Sequence, residues 1–304
     1  MVCRIAFLRP PLVDNRVAGR HISTLELVKG LRSIGVNAVY THNLKAKADY
    51  YAVDCLEDIR WLPDVAPARR IAWIRRDVYK QVQRPVIEGV GHLFASSQFV
   101  ARAWKEYPVT VLPDAVYLPA WIRPHVRHRL LYVGRVCRSK GIPLLLQAMK
   151  FLNYRWHLTI AGPILADFGP MVENYNIKYH VKFTGELPYW RIGQLYRQAE
   201  CVIVPSHNEP FGRAVVESWA NGSTPIAIAG SGGPEETLQQ VSLAKFPYLV
   251  PHNPKQIAKA IRWVTESDGD GIPYRLDYEH CRELAKPYDR RSIAKQFMEH
   301  LTNA

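Results

Sequence analysis

Residues 201–217 read CVIVPSHNEPFGRAVVE. The apolar run Cys201–Val204 shows no alternation with polar residues, which is the pattern of a strand covered on both faces. Pro205-Ser206-His207 breaks it, and a helical pattern starts at Arg213 and runs to Asn221. Strand, turn and helix in that order make half of a β–α–β unit, and the apolar run Pro225–Ala229 supplies the next strand. The same alternation extends in both directions. Strands are predicted at Leu130–Val133, His157–Ala161, Val181–Thr184 and Tyr248–Val250, with helices at Ile142–Phe151, Arg191–Ala199 and Lys255–Thr265. Towards the N-terminus the pattern predicts strands at Arg4–Leu8, Asn37–Thr41, Ile71–Ile74, His92–Ala95 and Val109–Leu112. A helix is predicted over His21–Ile34, with Gly35 placed to stop it.

Between the two series, Pro113–Arg129 carries Pro113, Pro119 and Pro124 with little periodicity and reads as a linker. The expected fold is α/β: two doubly wound, Rossmann-like domains facing across a cleft, with ligands at the carboxyl ends of the strands. The expected boundaries are 1–120 for an acceptor-side domain and 121–288 for a ligand-binding domain. The last segment, 289–304, carries Ile293, Phe297 and Leu301 on one helical face and is expected to pack back toward the first domain.

Composition narrows the function. The chain has 304 residues, 48% of them apolar and 22% charged, which are globular proportions. No apolar run approaches the ~20 residues of a membrane-spanning helix. The apolar run at the N-terminus is too short for a signal peptide, so the expected location is cytoplasmic. Five scattered cysteines without a C-x-x-C suit reduced thiols and argue against a disulfide frame or a zinc site. Lys and Arg number 40 against 27 acidic residues, a formal charge of +13. One local excess stands out: Arg69, Arg70, Arg75, Arg76, Lys80 and Arg84, with only Asp77 against them. It reads as a solvated face, as an acceptor site, or as a patch for the peripheral docking of an anionic membrane. No zinc-finger, helix-turn-helix or RNA-binding motif accompanies it, so nucleic acid is not expected.

Two segments carry chemistry. Residues 131–141 read LYVGRVCRSKG: a strand ends at Gly134, Arg135 follows, and Lys140 precedes Gly141 at the start of a helix. Such a turn brings backbone and cations close to an anion at a helix N-terminus, although an ordinary strand–helix junction with surface cations has the same spacing. In the second segment, Glu209 lies in the loop and Glu217 two turns into the helix, with Gly212 exposing helix-terminal amides between them. Carboxylates suit sugar hydroxyls, since each accepts two or more hydrogen bonds. Asp268-Gly269-Asp270 has the form of a metal-binding D-x-D, but its polar surroundings read as a surface turn, and no metal site is expected.

Together, Gly134-Arg135…Lys140-Gly141, Glu209-Pro210-Phe211-Gly212-Arg213…Glu217 and the glycine–proline strand Gly222–Ala227 resemble the retaining GT-B glycosyltransferases, family 4 (group 1) in particular. Ala161-Gly162-Pro163 and Gly232–Glu236 fall where that family has glycine turns, and Ala18-Gly19-Arg20, followed by His21, looks like its N-terminal glycine loop facing the cleft. The resemblance implies a hexosyltransferase-like enzyme that moves a sugar from a nucleotide sugar, such as a UDP- or GDP-sugar, to an unidentified acceptor. It implies retention of configuration, no cofactor and no metal. It further implies that Arg135 and Lys140 bind the diphosphate, that Glu209 contacts the sugar and Glu217 the ribose, and that Gly134, Gly162 and residues 210–213 complete the donor site. Relatives carry a histidine at a strand end where this chain has Ile71–Asp77. Arg75, Asp77 or His21 stands in for it, or the contact is dispensable. Two other functions fit the scaffold: a nucleotide-sugar epimerase (or a phosphorylase), and a non-catalytic protein that binds a nucleotide sugar or an anionic surface.

Overall fold

Strands that lie inside a sheet with helices on both sides have no solvent face, and this protein contains two such sheets. The computed structural model describes residues 3–9, 19–43, 45–75, 87–120, 126–239, 248–266 and 276–303, with backbone alone at 19–20 and 56–57. The chain forms two compact units, Met1–Tyr117 with Lys286–Ala304, and Leu118–Ala285.

In unit 1, strands β1 (Arg4–Leu8), β2 (Asn37–Thr41), β3 (Tyr50–Val53), β4 (Arg70–Ile74), β5 (His92–Ala95) and β6 (Val109–Val111) form a sheet in the order β2-β1-β3-β4-β5-β6. Every pairing is parallel. Helix α1 (Gly19–Ser33) follows β1, and α2 (Gln98–Ala103) is capped by the Ser97 side chain, which accepts from Val100 N–H. Only in the order of β1 and β3 does the winding reverse direction, and the carboxyl ends of those two strands mark the switch point.

The final helix of the chain, α10 (Arg290–Asn303), belongs to this unit. It places Ile293, Ala294, Phe297 and Leu301 in a core with Phe7, Trp73 and Phe94. Phe297 stacks on Trp73 at 5.7 Å, and Trp73 on Phe94 at 5.1 Å. Burying one such aromatic side chain contributes about 1.5–3 kcal/mol. Val116 and the Tyr288–Arg290 backbone exchange hydrogen bonds, which fix the start of α10 beside the end of the unit's N-terminal part.

In unit 2, β7 (Arg129–Val133), β8 (His157–Ala161), β9 (Val181–Gly185), β10 (Cys201–Val204), β11 (Thr224–Ile228) and β12 (Leu249–Val250) lie in the order β12-β11-β10-β7-β8-β9, again all parallel. The helices are α3 (Ile142–Met149), α4 (Gly169–Asn174), α5 (Tyr189–Gln198), α6 (Arg213–Ala220), α7 (Gly233–Gln239), α8 (Pro254–Thr265) and α9 (Tyr278–Ala285). Here the winding reverses between β7 and β10, whose register pairs Leu130 with Cys201 and Leu131 with Val202.

Some elements differ from the sequence pattern. β3 has four residues wedged between Asp49 and Asp54, and it owes its extended form to pairing with β1 on one side and β4 on the other. The Gly232–Glu236 stretch, read as a turn, opens α7 at Gly233. Within the Pro113–Arg129 linker, Val116 pairs with unit 1 while the carbonyl of Pro119 accepts from Arg282 of unit 2. Residues 121–125 of that linker lie outside the described residues.

His92 on β5 and His300 on α10 meet edge-to-face at 5.5 Å. Burial lowers the pKa of both, and for His300 the neighbouring His92 lowers it further. A base whose folded pKa is depressed binds fewer protons than in the unfolded chain, so stability rises with pH across that interval. Unit 1 should therefore lose stability as pH falls from about 7 to about 5.5. His300→Gln should flatten this dependence in thermal melts. An unchanged slope in the variant would contradict the assignment.

Candidate active site

The turn after β7 is built from backbone contacts to its neighbours. Gly134 N–H donates to Ala161 O at 2.9 Å, and Val136 N–H to Pro163 O at 2.8 Å, which tie the loop to the end of β8. Tyr132, two residues before Gly134, donates its hydroxyl to Arg135 O at 2.8 Å. Burial first, and then the charge of Glu209, push this phenol far above its usual range, so it stays a donor. Arg135 itself is exposed. A short turn, Arg138–Lys140, leads to Gly141 in the left-handed region (φ 75°), and α3 begins at Ile142.

The loop after β10 lies against this turn. A Cβ on Gly141 would stand 2.0 Å from Pro205 O, so only glycine permits the approach. Ser206 Oγ donates to Lys140 O at 3.2 Å and closes the contact. The Glu209 backbone is held on both sides: its N–H donates to Ser231 O and its carbonyl accepts from Gly233 N–H, each at 2.8 Å. Its side chain meets Lys140, with Nζ 2.5 Å from Oε1 and both side chains 19% exposed. Residues sixty-nine positions apart are thereby joined where the sheet's winding reverses.

Beyond Glu209, Pro210 is half-buried, Phe211 is buried, and Gly212 opens α6. Glu217 does not face solvent: it is 7% exposed, and its Oε1 accepts from Arg213 Nη2 at 2.7 Å, Arg213 Nε at 3.2 Å and the Tyr189 hydroxyl at 3.4 Å. Burial and the Glu217 charge hold the neighbouring Tyr196 phenol well above its ordinary value. Gly162 heads the loop after β8, its N–H donating to Gly185 O at 2.9 Å.

The structure thus brings Lys140 to Glu209 and Arg213 to Glu217, on either side of Gly212 in the chain. Sequence reading missed Tyr132 and Tyr189. Both sit in ordinary strand and helix patterns, and only the strand order reveals that they reach the site.

In unit 1, Gly19 and Arg20 begin α1, and His21 in its first turn is buried beside Asp54 and Tyr40. The basic patch does not exist as a free cationic face at its described members. Arg69 donates to the carbonyls of Ala48 and Asp49, Arg70 pairs with Asp64, and Arg75 donates to Asp54 O and pairs with Asp114. Backbone carbonyls and acids already occupy these guanidinium groups. Ala18, Arg76, Asp77, Lys80, Arg84 and the Asp268–Asp270 segment lie outside the described residues. Among the described residues there is no cluster of three metal-ligating side chains, no disulfide, and no helix long and apolar enough to cross a membrane.

Two open parallel sheets of this order, the second with cations and acids gathered at its switch point, define the GT-B class of fold. Residues 121–290, more than half of the chain, match the family described as glycosyl transferases group 1, and the chain belongs to that family. An uncharacterized glycosyltransferase of Methanocaldococcus jannaschii is 33% identical over 173 residues, covering 55% of this chain and 43% of that protein. The glycogen synthase of Mycobacterium tuberculosis is 31% identical over 200 residues, covering 61% and 46%. The matched region therefore spans less than half the length of these curated relatives. Among solved structures, Anabaena HepE in complex with UDP-glucose superposes with a TM-score of 0.75 at 15% identity, covering 99% of this chain and 100% of that one. Sucrose-phosphate synthase from Thermosynechococcus elongatus superposes with a TM-score of 0.76 at 17% identity, covering 99% and 98%. At such identities the likeness is one of fold.

Gly185 also has a positive φ, 69°, but nothing lies within 4 Å of a Cβ built there. Gly185→Ala should cost only the backbone penalty of about 1–2 kcal/mol, while Gly141→Ala should cost clearly more, because its Cβ must displace the Pro205 carbonyl. Thermal melts of the two variants give the comparison, and equal losses would contradict the close approach of the two loops.

Proposed function

We propose that the protein transfers a sugar from a nucleoside diphosphate sugar to an acceptor with retention of the anomeric configuration. The observation that carries this reading is the Lys140–Glu209 pair at the switch point between β7 and β10, flanked by the N-termini of α3 and α6. Without a donor, each charge serves as the other's counter-ion. With a donor, Lys140 would turn to the diphosphate together with the exposed Arg135, and Glu209 would be released to accept sugar hydroxyls. Breaking the bond between the anomeric carbon and the phosphate oxygen leaves the electron pair on the diphosphate. Fixed cations and helix-terminal amides stabilise that charge where it develops, and this step needs no divalent metal. The acceptor hydroxyl oxygen then bonds to the anomeric carbon on the face the diphosphate left, and its proton passes to the departing phosphate oxygen.

Glu217, held through Oε1 by Arg213 and Tyr189, is suited to accept from a ribose hydroxyl. Gly162 lets its loop pack against Gly134, where a Cβ would stand 1.9 Å from Gly134 O, and the backbone of these two turns would face the diphosphate while residues 210–213 would line the sugar. The likeness to HepE, which was solved with UDP and with UDP-glucose, supports a uridine nucleotide as the first donor to try.

Calorimetry with UDP and UDP-glucose tests the assignment. Lys140→Ala should weaken UDP about tenfold or more, the worth of a charge-assisted hydrogen bond. Glu209→Ala should leave UDP binding as tight or tighter, because Lys140 loses its competitor, yet abolish transfer and remove any preference for UDP-glucose over UDP. Unchanged UDP affinity in the lysine variant, together with full transfer in the glutamate variant, would refute the reading.

A further inference from the structure

The outer face of α8 carries Lys255, Lys259, Arg262 and Trp263, all exposed, while Ile257, Ala258, Ile261 and Val264 are buried beneath them. The turn after α3 (residues 150–155) lies against this helix. Lys255 Nζ stands 5.6 Å from the centroid of the Phe151 ring, Arg262 donates to Phe151 O, and Trp156 Nε1 donates to Thr265 Oγ1 at 2.9 Å. The turn after α4 (residues 175–180) continues the surface, with Lys150 Nζ 5.5 Å from the Tyr175 ring and the rings of His157 and His180 5.6 Å apart. Tyr154 and Tyr179 on these turns are 72% and 78% exposed, so their rings stand in solvent.

Lys150, Arg155, Lys178, Lys255, Lys259 and Arg262 face only two acids on these segments, Glu173 and Glu266, a surplus of four positive charges. None of the six pairs with an acid among the described residues, unlike Arg70 and Arg75 in unit 1. The lysines lie over rings instead: Lys259 over Trp263 at 4.3 Å and Lys178 over Tyr179 at 5.1 Å, besides the Phe151 and Tyr175 contacts. A ring meets only one side of an ammonium, which keeps donors for an anion in front of it. Lysines beside tryptophan and tyrosine rings compose a surface suited to a bilayer, where rings enter the headgroup layer and ammonium groups meet phosphate. Nucleic acid suits it less, because base stacking needs open ring faces and a lysine already covers one face of Phe151, Trp263 and Tyr179.

We propose that this face of unit 2 docks on an anionic phospholipid bilayer, its cations against the headgroup phosphates and Trp263, Tyr154 and Tyr179 within the headgroup layer. The two turns lead into β8 and β9 and so lie at the amino ends of those strands, away from Lys140 and Glu209 at the carboxyl end of the sheet. Docking there leaves the loops that carry Lys140 and Glu209 uncovered.

The test is co-sedimentation of the full chain with vesicles of phosphatidylcholine alone and of mixed phosphatidylcholine and phosphatidylglycerol. The expected result is binding to the mixed vesicles only, weakened as salt rises from about 0.1 M to about 1 M and the screening length shortens. The double variant Lys255→Gln, Lys259→Gln should bind about thirtyfold more weakly, the worth of two cations near an anionic surface. Trp263→Ala keeps every charge and should weaken binding severalfold. The double variant Arg102→Gln, Lys105→Gln removes two exposed cations from unit 1 and should bind within twofold of wild type. Thermal melts of each variant establish that it folds. An equal loss in the unit 1 variant would overturn the proposal, because the net charge of the whole chain would then do the binding. So would equal binding to uncharged vesicles, full binding by the tryptophan variant, or no binding to either vesicle. Binding of poly(U) RNA without binding to vesicles, lost in the lysine variant, would overturn it in favour of a nucleic-acid surface.

Discussion

The pairing of β7 with β10 is the constraint on which the site depends. Adjacent parallel strands whose following helices pack on opposite faces must send their loops apart, and a crevice opens at their carboxyl ends. In this chain the two loops are then stitched together beneath that opening by the contact of Gly141 with the Pro205 carbonyl and by the Ser206 hydroxyl on Lys140 O. With the backbones so close, Lys140 Nζ reaches Glu209 Oε1 at 2.5 Å. The glycines, the hydroxyl and the ion pair are therefore one device.

An acid–cation pair that is partly withdrawn from water is poised between two states. The partners lose hydration and recover it in each other, so removing either leaves a charge without compensation. A ligand with its own negative charge and its own hydroxyls can replace both partners at once. Unit 1 follows the same architectural rule with different chemistry. Its switch point gathers His21, Asp54, Tyr40 and Arg75, a hydrogen-bonded network of imidazole, carboxylate and phenol where unit 2 has a lysine–glutamate pair.

Much of the fold is legible in the sequence because strands such as Arg4–Leu8 and Cys201–Val204 are covered on both faces and so appear as unbroken apolar runs. Tyr50–Val53 escapes notice because four residues between two acids give no period, and neighbouring strands supply its order. Short helices escape for another reason: Gly169-Pro170 and Gly233-Pro234 carry turn signals, yet the same residues serve in a helix's first turn. At the site, Lys140 and Glu209 are legible from motif and spacing. Tyr132 and Asp54 are not, because their roles arise from strand order. Arg69, Arg70 and Arg75 mislead in the opposite direction, since nothing in the sequence shows that the carbonyls of Ala48, Asp49 and Asp54 lie within their reach.

The most direct test of the central claim is a crystal structure of the protein with UDP-glucose bound. The account predicts the diphosphate against Lys140 and Arg135, the glucose hydroxyls on Glu209 and the ribose on Glu217, with the Lys140–Glu209 contact opened. A nucleotide bound elsewhere in the chain, or bound with that contact still closed and no phosphate on Lys140, would contradict it.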